Sequence, residues 1–171
     1  AFVTEDRRAE GLLMDQSLCD NSGLVSLSNF VHLWLQMVNQ RRLNEAATSI
    51  GRMLQIKSSA IERQPAKSLS GGNQQKVVIG KWLLAKPQIF IMDEPTRGID
   101  VGAKYEVYNI INNLAAEGAW VIVISSELEE LMGICDRILV MSNGEVPAGF
   151  ERNQFNQEAI LRAAFREATV A

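Results

Sequence analysis

Three sets of residues able to act on a phosphate lie between residues 69 and 100, LSGGNQQKVVIGKWLLAKPQIFIMDEPTRGID. Ser70 stands ahead of two glycines where a helical run begins. A helix start leaves backbone N–H groups without intrahelical acceptors, and these bind anions readily. Gly71 and Gly72 would let a phosphate approach that backbone with no Cβ in the way. The apolar run Ile89-Phe90-Ile91-Met92 predicts a buried strand ending in Asp93 and Glu94, which lie 23 and 24 residues past Ser70. Carboxylates at the carboxyl edge of a parallel sheet sit where α/β proteins place their ligands, and they suit metal-assisted phosphate chemistry. Asp100 precedes a helical run and fits an N-cap. Taken singly, each set has an ordinary structural reading: a helix start, a solvated acidic loop, a cap.

The elements that must hold these residues can be read from periodicity. Ala1-Phe2-Val3 predicts the end of a strand, followed by a charged loop, Thr4-Glu5-Asp6-Arg7-Arg8, leading to Gly11. Leu27, Phe30, Val31, Trp34, Leu35 and Val38 follow helical spacing and predict a helix over 28–40, capped by Ser26 or Ser28. Leu33 and Met37 widen its apolar stripe. A second helix is predicted over 43–55, so that residues 12–70 as a whole read as helical. From Leu69 onward helices and strands alternate: helix 71–85, strand 88–92, helix 102–117, strand 120–125, helix 127–133 and strand 137–141. Alternation of this kind predicts a parallel sheet with crossover helices. Asn143-Gly144 then marks a hairpin turn, and Pro147 puts the returning strand at an edge. A last helix is predicted over 156–168 with Asn156 as its cap.

In combination these motifs resemble the second half of an ABC-type ATPase domain. LSGGNQQK is similar to the ABC signature in the spelling of bacterial sugar importers, IFIMDEP to their Walker B strand and TRGID to their D-loop. The fold implied is α/β: an incomplete ABC-type P-loop NTPase domain, with a helical subdomain followed by a mostly parallel sheet with flanking helices. Its parts would be residues 1–10 (core strand and Q-loop region), 11–70 (helical signature subdomain) and 71–171 (signature helix, Walker B and D-loop core, C-terminal hairpin and helix). The resemblance implies ATP and Mg²⁺ as cofactors. Ser70, Gly71, Gly72, Asn73 and Gln74 would meet the γ-phosphate of an ATP held by an opposing domain. Asp93 would help hold Mg²⁺, Glu94 would polarise the attacking water, and Asp100 would reach across the interface between domains.

Two positions depart from the general ABC pattern. Ser126 stands where the switch histidine is expected, and it also fits a helix cap with Glu129 three residues on. A serine lacks the imidazole that a switch histidine offers to the γ-phosphate. Glu5 replaces the Q-loop glutamine, keeping an oxygen ligand for the metal but adding a charge. The only histidine, His32, falls in the early helical region and is assigned a structural role. Both departures are similar to the second ATPase domain of ribose-, galactose- and arabinose-type importers, where two domains share one polypeptide. The composite site that uses Glu94 and Ser126 is then expected to be weak, whereas the Ser70 turn completes the site of the other domain.

A Walker A loop, G-x-x-x-x-G-K-[ST], does not occur in the sequence; Lys57-Ser58 and Lys67-Ser68 are the only Lys-Ser/Thr pairs, and neither follows a glycine. The expectation is a fragment running from the Q-loop to the C-terminus of a longer subunit, inactive alone and with an exposed sheet edge. The missing initiator Met and signal-peptide pattern fit processing or truncation. The 47% apolar and 22% charged composition is that of an ordinary globular domain. A net charge of −3 argues against nucleic acid as a partner. No apolar run approaches the roughly 20 residues needed to cross a bilayer. Cys19 and Cys135 have no metal-ligand spacing and predict buried free thiols in a reducing cytosol.

The function expected from the resemblance is the energy-coupling ATPase of a carbohydrate importer. Its partners would be a second ATPase domain, transmembrane permease subunits and, indirectly, a periplasmic sugar-binding protein. Its location would be peripheral, at the cytoplasmic face of the inner membrane. Two alternatives come from other classes. One is a non-catalytic module that only completes a partner's ATP site. The other is a DNA-repair or chromosome-organising ATPase, which the acidic charge and the NQQK and TRGID spellings disfavour.

Overall fold

The short strand β1 (Phe2–Val3) leads to Asp6, whose carboxylate accepts the backbone N–H groups of Arg8 and Ala9, both at 3.0 Å. These bonds wind the predicted charged loop into a tight helical turn, Arg7–Gly11. This computed structural model describes residues 1–32 and 37–165. Helix α1 (Leu18–Gly23) follows, with the Ser17 hydroxyl accepting the Asp20 N–H as its cap.

The helix predicted over 28–40 is replaced by a single 3-10 turn, Leu27–Phe30, and two short strands, β2 (Val31–His32) and β3 (Met37–Val38). The strands pair antiparallel, Val31 opposite Val38. Asn39 supplies the physical reason. Its side chain accepts the Arg42 N–H at 3.1 Å and so starts helix α2 (Gln40–Met53) three residues before the predicted start. Its own N–H donates to Phe30 O at 2.7 Å, which brings the chain back on itself. Neither proposed serine caps the turn with its side chain, and Ser26 Oγ is buried without a partner. Residues 12–70 are therefore not uniformly helical. Residues 33–36 and the His32 side chain, on which part of the predicted stripe and the structural role of His32 fall, lie outside the described residues.

Helix α3 (Gly71–Leu83) is buried along most of its length, from Gln74 to Lys81. It packs against α1, α2, the Arg7–Gly11 turn and helix α4 (Val101–Ala116). A helix enclosed on so many sides cannot show a strong one-sided apolar stripe. Some of its polar groups bond internally: Gln74 Nε2 donates to the carbonyls of Ala66 and Leu69, and Lys81 Nζ donates to Gly11 O at 2.5 Å, whereas Gln74 Oε1 and Gln75 Nε2 are buried without a partner. Burial lowers the Lys81 pKa from its ordinary value.

Strand β4 (Ile89–Asp93) lies between β1 and β5 (Trp120–Ile124) in a three-stranded sheet, parallel throughout. Val3, Phe90 and Met92 are buried in the same core as Val77, Val78 and Ile79 of α3. The alternate positions Phe2, Ile89, Trp120, Ile122 and Ile124 are exposed, Trp120 by 75%.

These elements form one compact unit, Ala1–Ile124, and the chain beyond it forms a second. The second contains α5 (Leu128–Ile134) and a two-stranded antiparallel sheet of β6 (Arg137–Ser142) and β7 (Glu145–Glu151). Asn143 (φ 52°) and Gly144 (φ 80°) make the predicted left-handed turn. Helix α6 (Gln157–Ala164) is capped by Asn156, whose side chain accepts the Ala159 N–H at 2.9 Å. Ile138, Val140 and Ile160 form the core of this unit, with Cys135 partly buried against it. Residues 166–168 of the predicted last helix lie outside the described residues.

Candidate functional site

Ser70 occupies the N-cap of α3 with extended backbone, but its hydroxyl makes no capping bond and instead accepts from Asn73 Nδ2 at 3.0 Å. The Asn73 side-chain oxygen, Oδ1, accepts the Lys57 N–H at 3.0 Å. The first N–H groups of α3 have no intrahelical acceptor by position, and no side chain caps them. They form a donor set with the positive end of the helix dipole behind it. Gln74 is buried to 1% exposure, so its side chain braces the turn from beneath.

Packing also requires Gly72 and leaves little room at Gly71. A Cβ on Gly72 would overlap Ala103 Cβ of α4, and one on Gly71 would sit 2.9 Å from Arg7 Nη2 and 3.3 Å from Gly98 O. Four residues further on, Lys76 Nζ pairs with Glu106 Oε2 of α4 at 2.6 Å and donates to Gln55 O at 3.2 Å. Helices α3 and α4 are thus joined at their N-terminal ends by close approach and by an ion pair.

Asp93 closes β4, its backbone in register with Ile124. Glu94 follows in left-handed backbone, φ 44°, and its N–H donates to Ile124 O at 2.8 Å. A non-glycine residue held there stores conformational strain, a feature that clusters at functional sites. The chain then turns through buried Pro95 and Thr96 and through Gly98 (φ 67°) to Asp100. Asp100 caps α4, its carboxylate accepting the Ala103 N–H at 3.0 Å. That much of its predicted role is visible.

Sequence reasoning missed the residue that ties these pieces together. Arg7 donates from Nη1 to Arg97 O at 2.9 Å and from Nη2 to Gly98 O at 3.2 Å. Beside it the Glu5 carboxylate pairs with the Arg97 guanidinium. The glycine turn, the 96–100 loop and the Glu5-Asp6-Arg7 segment therefore meet in one place. The triplet itself was legible in the sequence; its partners, about 90 positions away, were not.

Ser126 belongs to the second compact unit, ahead of α5. The predicted capping box is not formed there. Glu127 takes the N-cap position with no capping bond from its side chain, and the Ser125 hydroxyl accepts the Glu127 N–H at 3.1 Å. Among the described residues no cluster of three or more His, Cys, Asp or Glu side chains could hold a metal unaided. A single strand-end carboxylate nevertheless suits Mg²⁺, which is usually bound by one or two carboxylates and completed by substrate phosphates and water. Cys19 is buried, and its thiol is pushed up to about 11 by burial and by the nearby Asp20 and Glu62 carboxylates.

The sequence pattern of ABC transporters matches residues 4–97, from the end of β1 through the loop after β4. The chain belongs to the ABC transporter family. It is 48% identical, over 96% of its length, to the xylose import ATP-binding protein XylG of Geobacillus kaustophilus, and 46% identical over 96% to the ribose import ATP-binding protein RbsA of the same organism. It spans about a third of each of those relatives, 32% and 33%. Its fold is similar to that of the ATP-binding cassette MJ0796 in a dimeric post-hydrolysis state bound to ADP and Pi. That likeness has a TM-score of 0.72 at 22% identity and covers 90% of this chain and 63% of that one. The α/β architecture of this ABC chain is thereby that of an ATP-binding cassette, and LSGGNQQK, IFIMDEP and TRGID fall at the start of α3, along β4 and in the loop before α4.

Proposed function

We propose that this chain is the signature, Walker B and D-loop part of the energy-coupling ATPase of a bacterial carbohydrate importer. The observation that carries the reading is the donor set at the start of α3, packed directly against the 96–100 loop through Gly71 and Gly98. Ser70, Gly71, Gly72 and Asn73 present hydroxyl, amide and backbone donors to the γ-phosphate of an ATP held by a second ATPase domain, with Gln74 bracing the turn. Asp100 borders the same interface.

Asp93 and Glu94 serve the other composite site. Asp93 is a ligand to the Mg²⁺ of bound ATP, and the metal supplies charge neutralisation on the phosphates when present. Glu94 orients and polarises the attacking water from a left-handed backbone position at the end of β4. Glu5 stands at the Q-loop position of the sequence in place of glutamine and Ser126 at the switch position in place of histidine, and both replacements weaken hydrolysis. Transmembrane permease subunits and, through them, a periplasmic sugar-binding protein complete the assembly at the cytoplasmic face of the membrane. None of the described helices is long and apolar enough to cross a membrane, which agrees with peripheral attachment.

The sequence of this chain holds no lysine in a phosphate-binding glycine loop. The 171 residues alone are therefore expected to bind ATP weakly and to release no phosphate. Micromolar affinity with Mg²⁺-dependent turnover of the purified chain would sink that expectation. For the complete polypeptide the decisive variant is Glu94→Gln. It should retain ATP binding and lose about 10²-fold or more of its hydrolysis, the usual scale for a positioned acid–base group. Unchanged hydrolysis would favour the non-catalytic module instead.

A further inference from the structure

The Arg7 side chain is used by neither phosphate-facing group, yet it lies between them. Its planar fork bonds two successive carbonyls, Arg97 O at 2.9 Å and Gly98 O at 3.2 Å, a geometry that a lysine ammonium cannot reproduce. Its Nη2 also stands 2.9 Å from where a Gly71 Cβ would be, so the guanidinium fills the space between the α3 N-terminus and the loop. Arg7 is itself held from behind. Asp6 caps the Arg7–Gly11 turn, Lys81 of α3 bonds Gly11 O, and Gly11 lies close against Val78. Glu5 adds a second link through the Arg97 side chain. Partial burial draws the Arg7 pKa below its ordinary value, although a guanidinium stays charged at any working pH.

We propose that Arg7 is a positioning residue that locks the 70–72 turn to the 96–100 loop, so that both face an opposing nucleotide as one rigid surface. The lock follows from the geometry alone, whereas its consequence for catalysis rests on the ATPase reading above. Without the fork, the loop is held to the turn only by the close approach of Gly71 and Gly98 and by the contacts of α3 with α4, and it loosens against the turn.

The test uses the complete polypeptide carrying Arg7→Ala or Arg7→Lys, with amide exchange and steady-state ATPase as separate readouts. In the nucleotide-free protein, Arg7→Ala should speed exchange of the Gln74 amide, bonded to Ser70 O at 2.9 Å, and of the Arg97 amide, bonded to Glu94 O at 3.1 Å, together by about tenfold, the signature of a shared local opening. Exchange identical to the parent at either amide overturns the lock. With ATP, kcat should fall by about tenfold or more while KM stays within about twofold, as for a lost transition-state geometry rather than lost binding. Arg7→Lys should recover the thermal unfolding midpoint but not kcat. Full recovery of kcat by lysine, or faster exchange with kcat unchanged, overturns the positioning role. If Glu94→Gln leaves turnover intact, it is the ATPase reading that fails, and the exchange result still decides the lock.

Discussion

The start of α3 and the end of β4 treat glycine in opposite ways. At Gly71 and Gly72 the backbone is ordinary helix and neighbours bear on the missing side chain: Ala103 excludes one at Gly72, and Arg7 and the Gly98 carbonyl crowd one at Gly71. At Glu94 the backbone is left-handed and would suit glycine, yet a carboxylate is kept. The first site is therefore one where fold and ligand ask for the same residue. The second is one where they conflict, and the chemistry of the side chain decides. A glycine turn whose glycines are needed for packing resists drift for two reasons at once, whereas Glu94 is retained against a local conformational cost.

This contrast can be broken most forcefully at Gly72. In the complete polypeptide, Gly72→Ala should destabilise by about 2 kcal/mol, the scale of overpacking between well-fitted elements. Denaturant unfolding measures it, and a double-mutant cycle identifies the cause. Ala103→Gly alone should cost up to about 1 kcal/mol as a helix-interior glycine, but it should restore part of the loss in the Gly72→Ala background. Additive losses would show that the close approach of α3 and α4 is not the reason for Gly72.

Glu94→Gly sharpens the other half. Leaving the left-handed region to a residue with a Cβ costs about 1–2 kcal/mol, and glycine's extra chain entropy offsets about 0.5–1 kcal/mol of the relief. The backbone contribution should be neutral or favour the variant by up to about 1.5 kcal/mol, with hydrolysis lost as in Glu94→Gln. A destabilised Glu94→Gly would mean that the carboxylate supports the fold after all.

Legibility in the sequence divided along similar lines. The glycine turn, the strand-end acids, the Asp100 cap and the Asn143-Gly144 hairpin were readable because each depends on residues adjacent in the chain. The 28–40 helix was misread because apolar residues at helical spacing also fit a folded-back segment, and the deciding contacts, Asn39 to Phe30 and Asn39 to Arg42, carry no periodic signal. The burial of α3 was partly hidden too, since Gln74, Lys76 and Lys81 look like surface residues until their buried acceptors are known. Arg7 stood in the sequence as one member of the charged loop Thr4-Glu5-Asp6-Arg7-Arg8, and only the parallel docking of β1 on β4 brings it to the 96–100 loop.

The smallest effect concerns the turn that carries Arg7. The N–H groups of Ala9 and Arg8 both bond the Asp6 carboxylate and hold its pKa below the usual 3.8. A carboxyl whose pKa is depressed on folding contributes its stabilisation above its unfolded pKa and loses it as pH falls through the lower folded value. The cap should therefore be intact at neutral pH and release only below the ordinary carboxylate range. Asp6→Asn, which keeps an acceptor oxygen but cannot titrate, should remove that acid-dependent step from the exchange of the Arg8 and Ala9 amides while leaving their protection at neutral pH nearly unchanged. Because Asp6 fixes the turn from which Arg7 reaches the loop, the bonded amides of Gln74 and Arg97 should follow the same acid transition in the parent and lose it in Asp6→Asn. Acid release of the Arg8 and Ala9 amides without any response at 96–100 would show that Arg7 holds the loop independently of the turn that presents it.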